Sequence, residues 1–213
     1  MTSARPNAPG RRSRRVDWRS AELVALDFET TGLDLDRDEV ISFGLIPILG
    51  GRIDLSGQLY QEVAPDVEPS RSSIPIHHLR AQDLATAPAM QEVAHAFRGE
   101  LSGRFILAWA AEVEIAFLRK VFGGGRRAWR RRTIDVRTLI MAVERPSGDA
   151  DRGLPGYYAL SAAATRFGVP VEQTHHALDD AFMTAELFLV AANALEARGR
   201  DSIRDLLRIT ARG

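Results

Sequence analysis

The hydrophobic pattern of this chain changes its period once, close to residue 77, and that change restricts the possible folds more than any other feature. Before it come three apolar, β-branched runs, at residues 22–28, 40–49 and 52–63, whose patterns are typical of strands. Gly50-Gly51 separates the second run from the third and marks a hairpin turn. We therefore expect the chain to open with three strands that follow one another directly.

Beyond residue 77 the apolar residues recur mainly at helical spacing, and two short apolar runs interrupt the helices. The two runs predict strands at residues 105–109 and 133–136. The helical spacing predicts helices at residues 77–84, 88–100, 113–121, 137–144, 158–167, 177–197 and 201–210. Three consecutive strands followed by strands that alternate with helices indicate an α/β fold with a five-stranded mixed sheet.

The charge of the chain is unevenly distributed. Its 28 basic and 28 acidic side chains balance, yet residues 1–20 hold six arginines against one aspartate, a local charge of +5. We predict a disordered basic tail over residues 1–20, a folded domain over 21–198 and a C-terminal helical extension over 199–213. A mildly acidic body behind a basic tail fits an enzyme whose acidic site holds cations.

Several classes of protein are excluded by what the chain does not contain. Cysteine is absent, which excludes disulfides, thiolate zinc sites and cysteine nucleophiles. No apolar run approaches the ~18 residues that a membrane span needs. The residues after the basic tail are too charged for the apolar core of a signal peptide. We expect a cytoplasmic protein with no membrane partner.

Two carboxylates stand side by side where the first predicted strand ends, in the segment D-F-E-T-T-G at residues 27–32. Residues i and i+2 of a strand share a face, so Asp27 and Glu29 project together while Phe28 points away. Adjacent carboxylates repel each other unless a cation lies between them, which makes the pair a candidate site for a hard divalent metal. The alternative is a solvated strand end.

Two further segments carry residues that could take part in chemistry. His175 and Asp180 open the strongly apolar helix at 177–197, which places an imidazole and a carboxylate near the positive end of a helix dipole. Glu114 lies early in the helix at 113–121. Taken alone, each segment is also explained by ordinary capping and first-turn acidic residues.

Together these segments resemble the DEDDh 3′–5′ exonucleases, the family of the proofreading epsilon subunit of bacterial DNA polymerase III. That family opens with D-x-E-T-T-G, matched without change from Asp27 to Gly32, and closes with H-x-A-x-x-D, matched by His175, Ala177 and Asp180. A middle segment of the type H-N-A-x-F-D-x-x-F-L is matched loosely at residues 109–118. The resemblance covers about residues 22–195 and implies a ribonuclease H-like fold, a five-stranded mixed sheet flanked by helices.

The resemblance also implies an activity, which is metal-dependent removal of nucleoside monophosphates from a free 3′ end of single-stranded DNA or RNA. It assigns two divalent ions, Mg²⁺ or Mn²⁺, to four carboxylates, and the role of general base to His175. A polymerase partner follows by analogy only. The implied metal ligands are Asp27, Glu29, Glu114 and Asp180, and the implied substrate contacts are Thr30, Thr31, Gly32, Leu33 and His77.

The sequence departs from the family in the middle segment. Glu114 stands where the family has aspartate, which keeps the charge but adds one methylene, and Trp109-Ala110 replaces H-N. These changes leave open a non-catalytic relative that keeps the fold to bind nucleic acid ends or a protein partner. The arginine cluster at 126–132 has two interpretations, a phosphate-binding surface and a solvated loop, and we favour the loop.

Overall fold

A mixed β-sheet organises the chain in the computed structural model, which describes residues 16–67, 79–144, 156–171 and 175–211. In this part of the chain β2 pairs with β1, β3 and β4 in antiparallel fashion, and β1, β5 and β6 run parallel. The strand order is β3-β2-β1-β5-β6, and β4 also pairs with β2. The strands are β1 (Leu23–Thr30), β2 (Val40–Leu49), β3 (Arg52–Ile53), β4 (Leu59–Glu62), β5 (Phe105–Ala108) and β6 (Thr133–Asp135).

The five predicted strands are all present. The third is divided, because a short 3-10 helix over Leu55–Gly57 separates β3 from β4. The helices of the described residues are α1 (Ala81–Leu84), α2 (Met90–Leu101), α3 (Glu112–Phe122), α4 (Arg126–Arg130), α5 (Val136–Val143), α6 (Leu160–Phe167), α7 (Ala177–Glu196) and α8 (Ile203–Thr210). The predicted helices match this list within a few residues at each end, wherever the chain is described. The loop predicted over the arginine cluster is wrong, since α4 occupies it.

Alternating residues of β1 face two different apolar layers. Leu23 and Ala25 belong to the cluster that packs against α7, whereas Val24 and Leu26 belong to the cluster under α2 and α3. Pairing of β1 with β5 ends at Ala25, opposite Leu107. The last residues of β1 therefore continue beyond β5, where side chains from the neighbouring helices can approach them.

Helix α7 lies unusually close to β2 at Gly44. A Cβ atom on this glycine would come within 2.2 Å of the Ala177 carbonyl oxygen, in the first turn of α7. Only a residue without a side chain allows this approach. Because Gly44 pairs with Asp27 on β1, the close contact brings the start of α7 over the carboxyl end of β1.

Both ends of the described chain differ from the sequence-based domain limits. Residues 16–20 were expected to belong to the disordered tail, but Trp18 is 1% exposed and its indole N–H donates to Glu196 at 3.1 Å. Residues 1–15 lie outside the described residues. The helix α8 packs against α5 and β6 and buries Ile203 and Leu206, so it belongs to the domain rather than extending from it. In the part of the chain that is described, no helix is long and apolar enough to cross a membrane.

Candidate active site

The carboxyl end of β1 presents two acidic side chains on one face. Asp27 and Glu29 follow the alternation of Leu23 and Ala25, so they point toward α7, as predicted. Phe28 points to the opposite face and packs edge-on against Phe97. Asp27 is half-buried and Glu29 is buried, so neither is the solvated strand end of the alternative interpretation.

A third carboxylate comes from the first turn of α3. Glu114 is 4% exposed, and its Oε2 atom has no hydrogen-bond partner among the described residues. Glu112, two residues earlier, is exposed and forms ion pairs with Arg126 and Arg130 of α4. The two glutamates therefore separate into a buried group at the site and a surface group that attaches α4.

The first turn of α7 supplies the remaining pair. Asp180 is buried and accepts a hydrogen bond from the His175 backbone N–H at 3.1 Å, while its other oxygen, Oδ1, has no partner in the described chain. His175 adopts a left-handed backbone conformation with φ of 63°. One potential ligand atom from each of Glu29, His175 and Asp180 lies within 4.8 Å of the others.

Burial, and then neighbouring negative charges, raise the pKa values of all four carboxylates. Burial, followed by the charges of Glu114, Asp180 and Glu29, raises the pKa of Asp27 well above its usual range. Burial and the charge of Asp180 raise the pKa of Glu29 to about 8. Burial and then the neighbouring Asp179 raise the pKa of Asp180 to about 6, and burial also raises the pKa of Glu114. Asp27 is thus the carboxylate on which the charges of the three others act.

This arrangement fits divalent metal. Carboxylate oxygens are the ligands that Mg²⁺ and Mn²⁺ prefer, and buried carboxylates that repel one another gain most from a cation between them. Two of the buried oxygens, one each on Glu114 and Asp180, have no hydrogen-bond donor among the described residues. A hard cation would satisfy both the unpaired oxygens and the excess negative charge.

The pKa shifts predict that the metal-free protein loses stability as the pH rises. Glu29 has an ordinary pKa of 4.5 and a pKa of about 8 in the folded chain, so between these values the folded state holds a proton that the unfolded state releases. This difference in bound protons lowers the free energy of unfolding by about 2 kcal/mol between pH 6 and pH 8. Denaturation in EDTA is expected to show lower stability at pH 8 than at pH 6, and Mg²⁺ should remove most of the difference. Equal stability at both pH values in EDTA would contradict the burial of these carboxylates.

The threonines after Glu29 are bonded within the protein. The Thr31 amide donates to the Glu39 carbonyl at 2.9 Å, and its hydroxyl donates to Asp38 at 2.9 Å. The Thr30 hydroxyl donates to the Gly32 carbonyl at 2.7 Å. The Thr31 amide is thus already bonded within the protein, and contact of Thr30 and Thr31 with a substrate stays a prediction.

Gly32 and Leu33 follow the threonines, the first closely packed and the second exposed. Gly32 leaves no room for a side chain, because a Cβ atom there would lie 2.3 Å from the Asp38 carboxylate. Leu33 is 73% exposed, an unusual position for a large apolar side chain, and is free to contact a ligand. His77 lies outside the described residues.

Sequence reasoning gave no role to several side chains next to the site. Tyr60 of β4 stacks on His176, the residue that follows His175, with 4.5 Å between the ring centroids. Asp135 ends β6 and its charge acts on Glu114, as does that of Arg137. Asp135 follows a short buried apolar run, as Asp27 does, and that position was the available signal. Nothing in the sequence pairs Tyr60 with His176.

The residues that replace H-N in the middle motif have clear structural roles. The Trp109 indole N–H donates to the Tyr158 carbonyl at 3.2 Å, which ties the end of β5 to the segment before α6. Ala110 adopts a left-handed conformation with φ of 56°. Alanine is strained in that region, whereas glycine and asparagine are tolerated.

Replacing Ala110 with glycine is therefore expected to stabilise the protein by about 0.5–1 kcal/mol, because the strain outweighs the added freedom of the unfolded chain. Ala116 is a matched control, since it lies inside α3 and Ala116→Gly should destabilise by a similar amount. Chemical denaturation of both variants measures the difference. Destabilisation by Ala110→Gly would contradict the strain.

Comparison with known proteins places the chain among exonucleases. A family model described as an RNase T-type exonuclease matches residues 24–188. The PolC-type DNA polymerase III of Thermotoga maritima is 31% identical over 193 residues, which is 89% of this chain and 13% of that protein. The DNA polymerase III epsilon-like protein of Rhodobacter capsulatus is 31% identical over 184 residues, 83% of this chain and 24% of that protein. This chain therefore spans at most about a quarter of these two relatives.

Solved structures with the same fold are also exonucleases. E. coli Exonuclease I in complex with a dT13 oligonucleotide matches 84% of this chain and 42% of its own, with a TM-score of 0.70 and 16% identity. Exonuclease X in complex with 5′ overhanging duplex DNA matches 88% of this chain and 99% of its own, with a TM-score of 0.62 and 21% identity. Similarity at these identities concerns the fold alone, and it confirms the expected ribonuclease H-like sheet with flanking helices.

Proposed function

This chain belongs to the RNase T exonuclease family, and from that premise we propose that it is a metal-dependent 3′–5′ exonuclease acting on single-stranded DNA or RNA. The products are nucleoside monophosphates, released one at a time from the 3′ end. The observation that carries the proposal is the position of Asp27, which is surrounded by the charges of Glu29, Glu114 and Asp180 from three different elements.

The four carboxylates are proposed to hold two divalent ions, Mg²⁺ or Mn²⁺. Asp27 and Glu29 supply oxygens from β1, Glu114 from α3 and Asp180 from α7. Such ions, when bound, lower the pKa of a coordinated water and stabilise negative charge on the phosphate and the leaving oxygen. The support lies in the unpaired oxygens of Glu114 and Asp180 and in the mutual repulsion of the group.

His175 is proposed as the general base. Hydrolysis joins a water oxygen to phosphorus and breaks the bond from phosphorus to the 3′ oxygen of the preceding nucleotide, and the attacking water must lose a proton. The imidazole of His175 is exposed, and one of its nitrogens lies within 4.8 Å of the Glu29 and Asp180 oxygens. The bond from its backbone N–H to Asp180 fixes the two residues relative to each other.

Leu33 is proposed to contact the bases at the 3′ end. It follows Gly32 at the rim of the site, and its exposed apolar side chain suits contact with the face of an unpaired base. The ordered turn that carries it is closed by a 2.7 Å bond from the Asp34 amide to Asp38. Both DNA and RNA present such a base, so this contact is compatible with either substrate.

A time course on 5′-labelled single-stranded DNA and RNA, with Mg²⁺, Mn²⁺ or EDTA, tests the proposal. The expected result is a ladder that shortens by single nucleotides from the 3′ end and disappears in EDTA. Intact oligonucleotides in both metals would overturn it. Glu114→Asp is then the informative variant, because restored activity would identify the additional methylene as the cause, and continued inactivity would favour a non-catalytic module that binds nucleic acid ends or a protein.

A further inference from the structure

Three neighbouring strands place Asp27, Gly44 and Tyr60 in one row across the sheet. Gly44 of β2 is the paired residue of Asp27 on β1 and also of Tyr60 on β4. Residues directly opposite one another on neighbouring strands project to the same face. Asp27 and Tyr60 therefore border a gap in the side-chain layer, and the gap is the space above the glycine.

The start of α7 fills that gap. A Cβ atom on Gly44 would lie 2.2 Å from the Ala177 carbonyl oxygen and 2.5 Å from the Leu178 Cα atom. On one side of the gap, the charge of Asp180 acts on Asp27. On the other side, the His176 ring stacks on Tyr60 with ring centroids 4.5 Å apart and an angle of 25° between the planes.

The residues at the start of α7 need such support. His176 is the N-cap residue and makes no side-chain capping bond, and the left-handed backbone of His175 costs about 1–2 kcal/mol for a residue with a side chain. Asp179 approaches the His176 ring at 3.4 Å from the same turn. The stack on Tyr60 joins this turn to β4.

We propose that Tyr60 is a positioning residue for the reaction, holding His176 so that His175 and Asp180 keep their places at the metal site. The inference rests on the proposed function. Tyr60 acts through its ring, which forms the stack on His176. Its hydroxyl donates to Glu62 at 3.3 Å, and burial raises the pKa of the phenol to about 12. Tyr60 itself does not touch the reacting atoms.

Replacement of Tyr60 with leucine or phenylalanine tests this role. Tyr60→Leu removes the stack and is expected to lower kcat by about 10–100-fold, with KM changed less than about threefold, because small displacements of catalytic groups are costly. Tyr60→Phe keeps the stack and should stay within about threefold of wild type. Equal losses in both variants would assign the effect to the hydroxyl, and a raised KM with unchanged kcat would make Tyr60 a substrate contact; each result overturns the proposal.

His176→Ala removes the other ring of the same stack. It replaces Tyr60→Leu as the test if that variant does not fold. It should show the same loss, and adding it to Tyr60→Leu should produce little further change, because both variants remove one interaction. Two independent, multiplying losses would contradict the proposed contact.

Mn²⁺ affinity, measured by calorimetry without nucleic acid, separates this proposal from the proposed function. A displaced Asp180 should weaken Mn²⁺ binding in Tyr60→Leu by at least about threefold and leave it unchanged in Tyr60→Phe. Weakened binding in an otherwise inactive protein would support the positioning role while the exonuclease proposal fails. Unchanged binding and unchanged kcat in an active protein would reject the positioning role alone.

Discussion

Asp27→Asn is expected to lower the rate of 3′-end degradation by at least about 10³-fold while the protein stays folded. The charges of the other three carboxylates all act on Asp27, so its own charge should contribute to every cation held there. Asparagine keeps the size of the side chain and one oxygen but removes the charge, and displacement or loss of a single ligand disturbs a constellation that tolerates little misplacement. The measurement is the initial rate on a 5′-labelled oligonucleotide in Mg²⁺.

A control variant and a stability measurement distinguish loss of the site from loss of the fold. Asp36→Asn is the matched control, because Asp36 is exposed in the loop after β1 and its loss of charge should leave the rate within about twofold. Removing a charge from a mutually repelling group should also make Asp27→Asn at least as stable as wild type in EDTA at pH 8. Activity within tenfold of wild type would contradict the role given to Asp27.

Gly44→Ala is expected to lower activity by about 10²-fold and the free energy of unfolding by about 1–3 kcal/mol. The new methyl group would lie 2.2 Å from the backbone carbonyl oxygen of Ala177, and a backbone atom in a packed helix cannot turn aside as a flexible side chain does. The start of α7 must move away from β2, and His175 and Asp180 move with it. Both effects are measured on one protein, by oligonucleotide kinetics and by chemical denaturation.

Gly99→Ala is the control for this substitution. Gly99 lies in α2 with nothing within 4 Å of the position of a new Cβ atom, so alanine there should stabilise the protein by about 0.5–1 kcal/mol and leave activity unchanged. If Gly44→Ala also proved neutral in both measurements, the close packing of α7 on β2 could not be what positions the site.

Local sequence patterns were sufficient for the strands, most helices and the acidic pair on β1. Alternation places residues i and i+2 on one face of any strand, so Asp27 and Glu29 share a face. The apolar run before them identified this segment as a strand. The resemblance to a family supplied what spacing does not, namely that Glu114 and Asp180, far apart in the chain, approach Asp27. In the structure, ligand atoms of Glu29, His175 and Asp180 lie within 4.8 Å of one another, and the charges of Glu114 and Asp180 act on Asp27.

The features that sequence reasoning missed depend on contacts between distant residues. Trp18 was assigned to a tail because its neighbours are polar, yet Phe188 and Glu196 of α7 hold it in the core. The arginine-rich segment at 126–132 predicts a solvated loop, whereas ion pairs from Arg126 and Arg130 to Glu112 attach it to α3 as helix α4. The sequence similarly gives no sign that Gly44 lies beneath Ala177.

The central claim is that Asp27, Glu29, Glu114 and Asp180 together hold two divalent ions for phosphodiester hydrolysis. The most direct test is anomalous diffraction from crystals of the full chain grown with Mn²⁺ and a nucleoside monophosphate. We predict two anomalous peaks in contact with these four carboxylates, and fewer peaks at that place in Asp27→Asn crystals. Absence of Mn²⁺ from the carboxylates, in crystals that bind the ion elsewhere on the surface, would contradict the account.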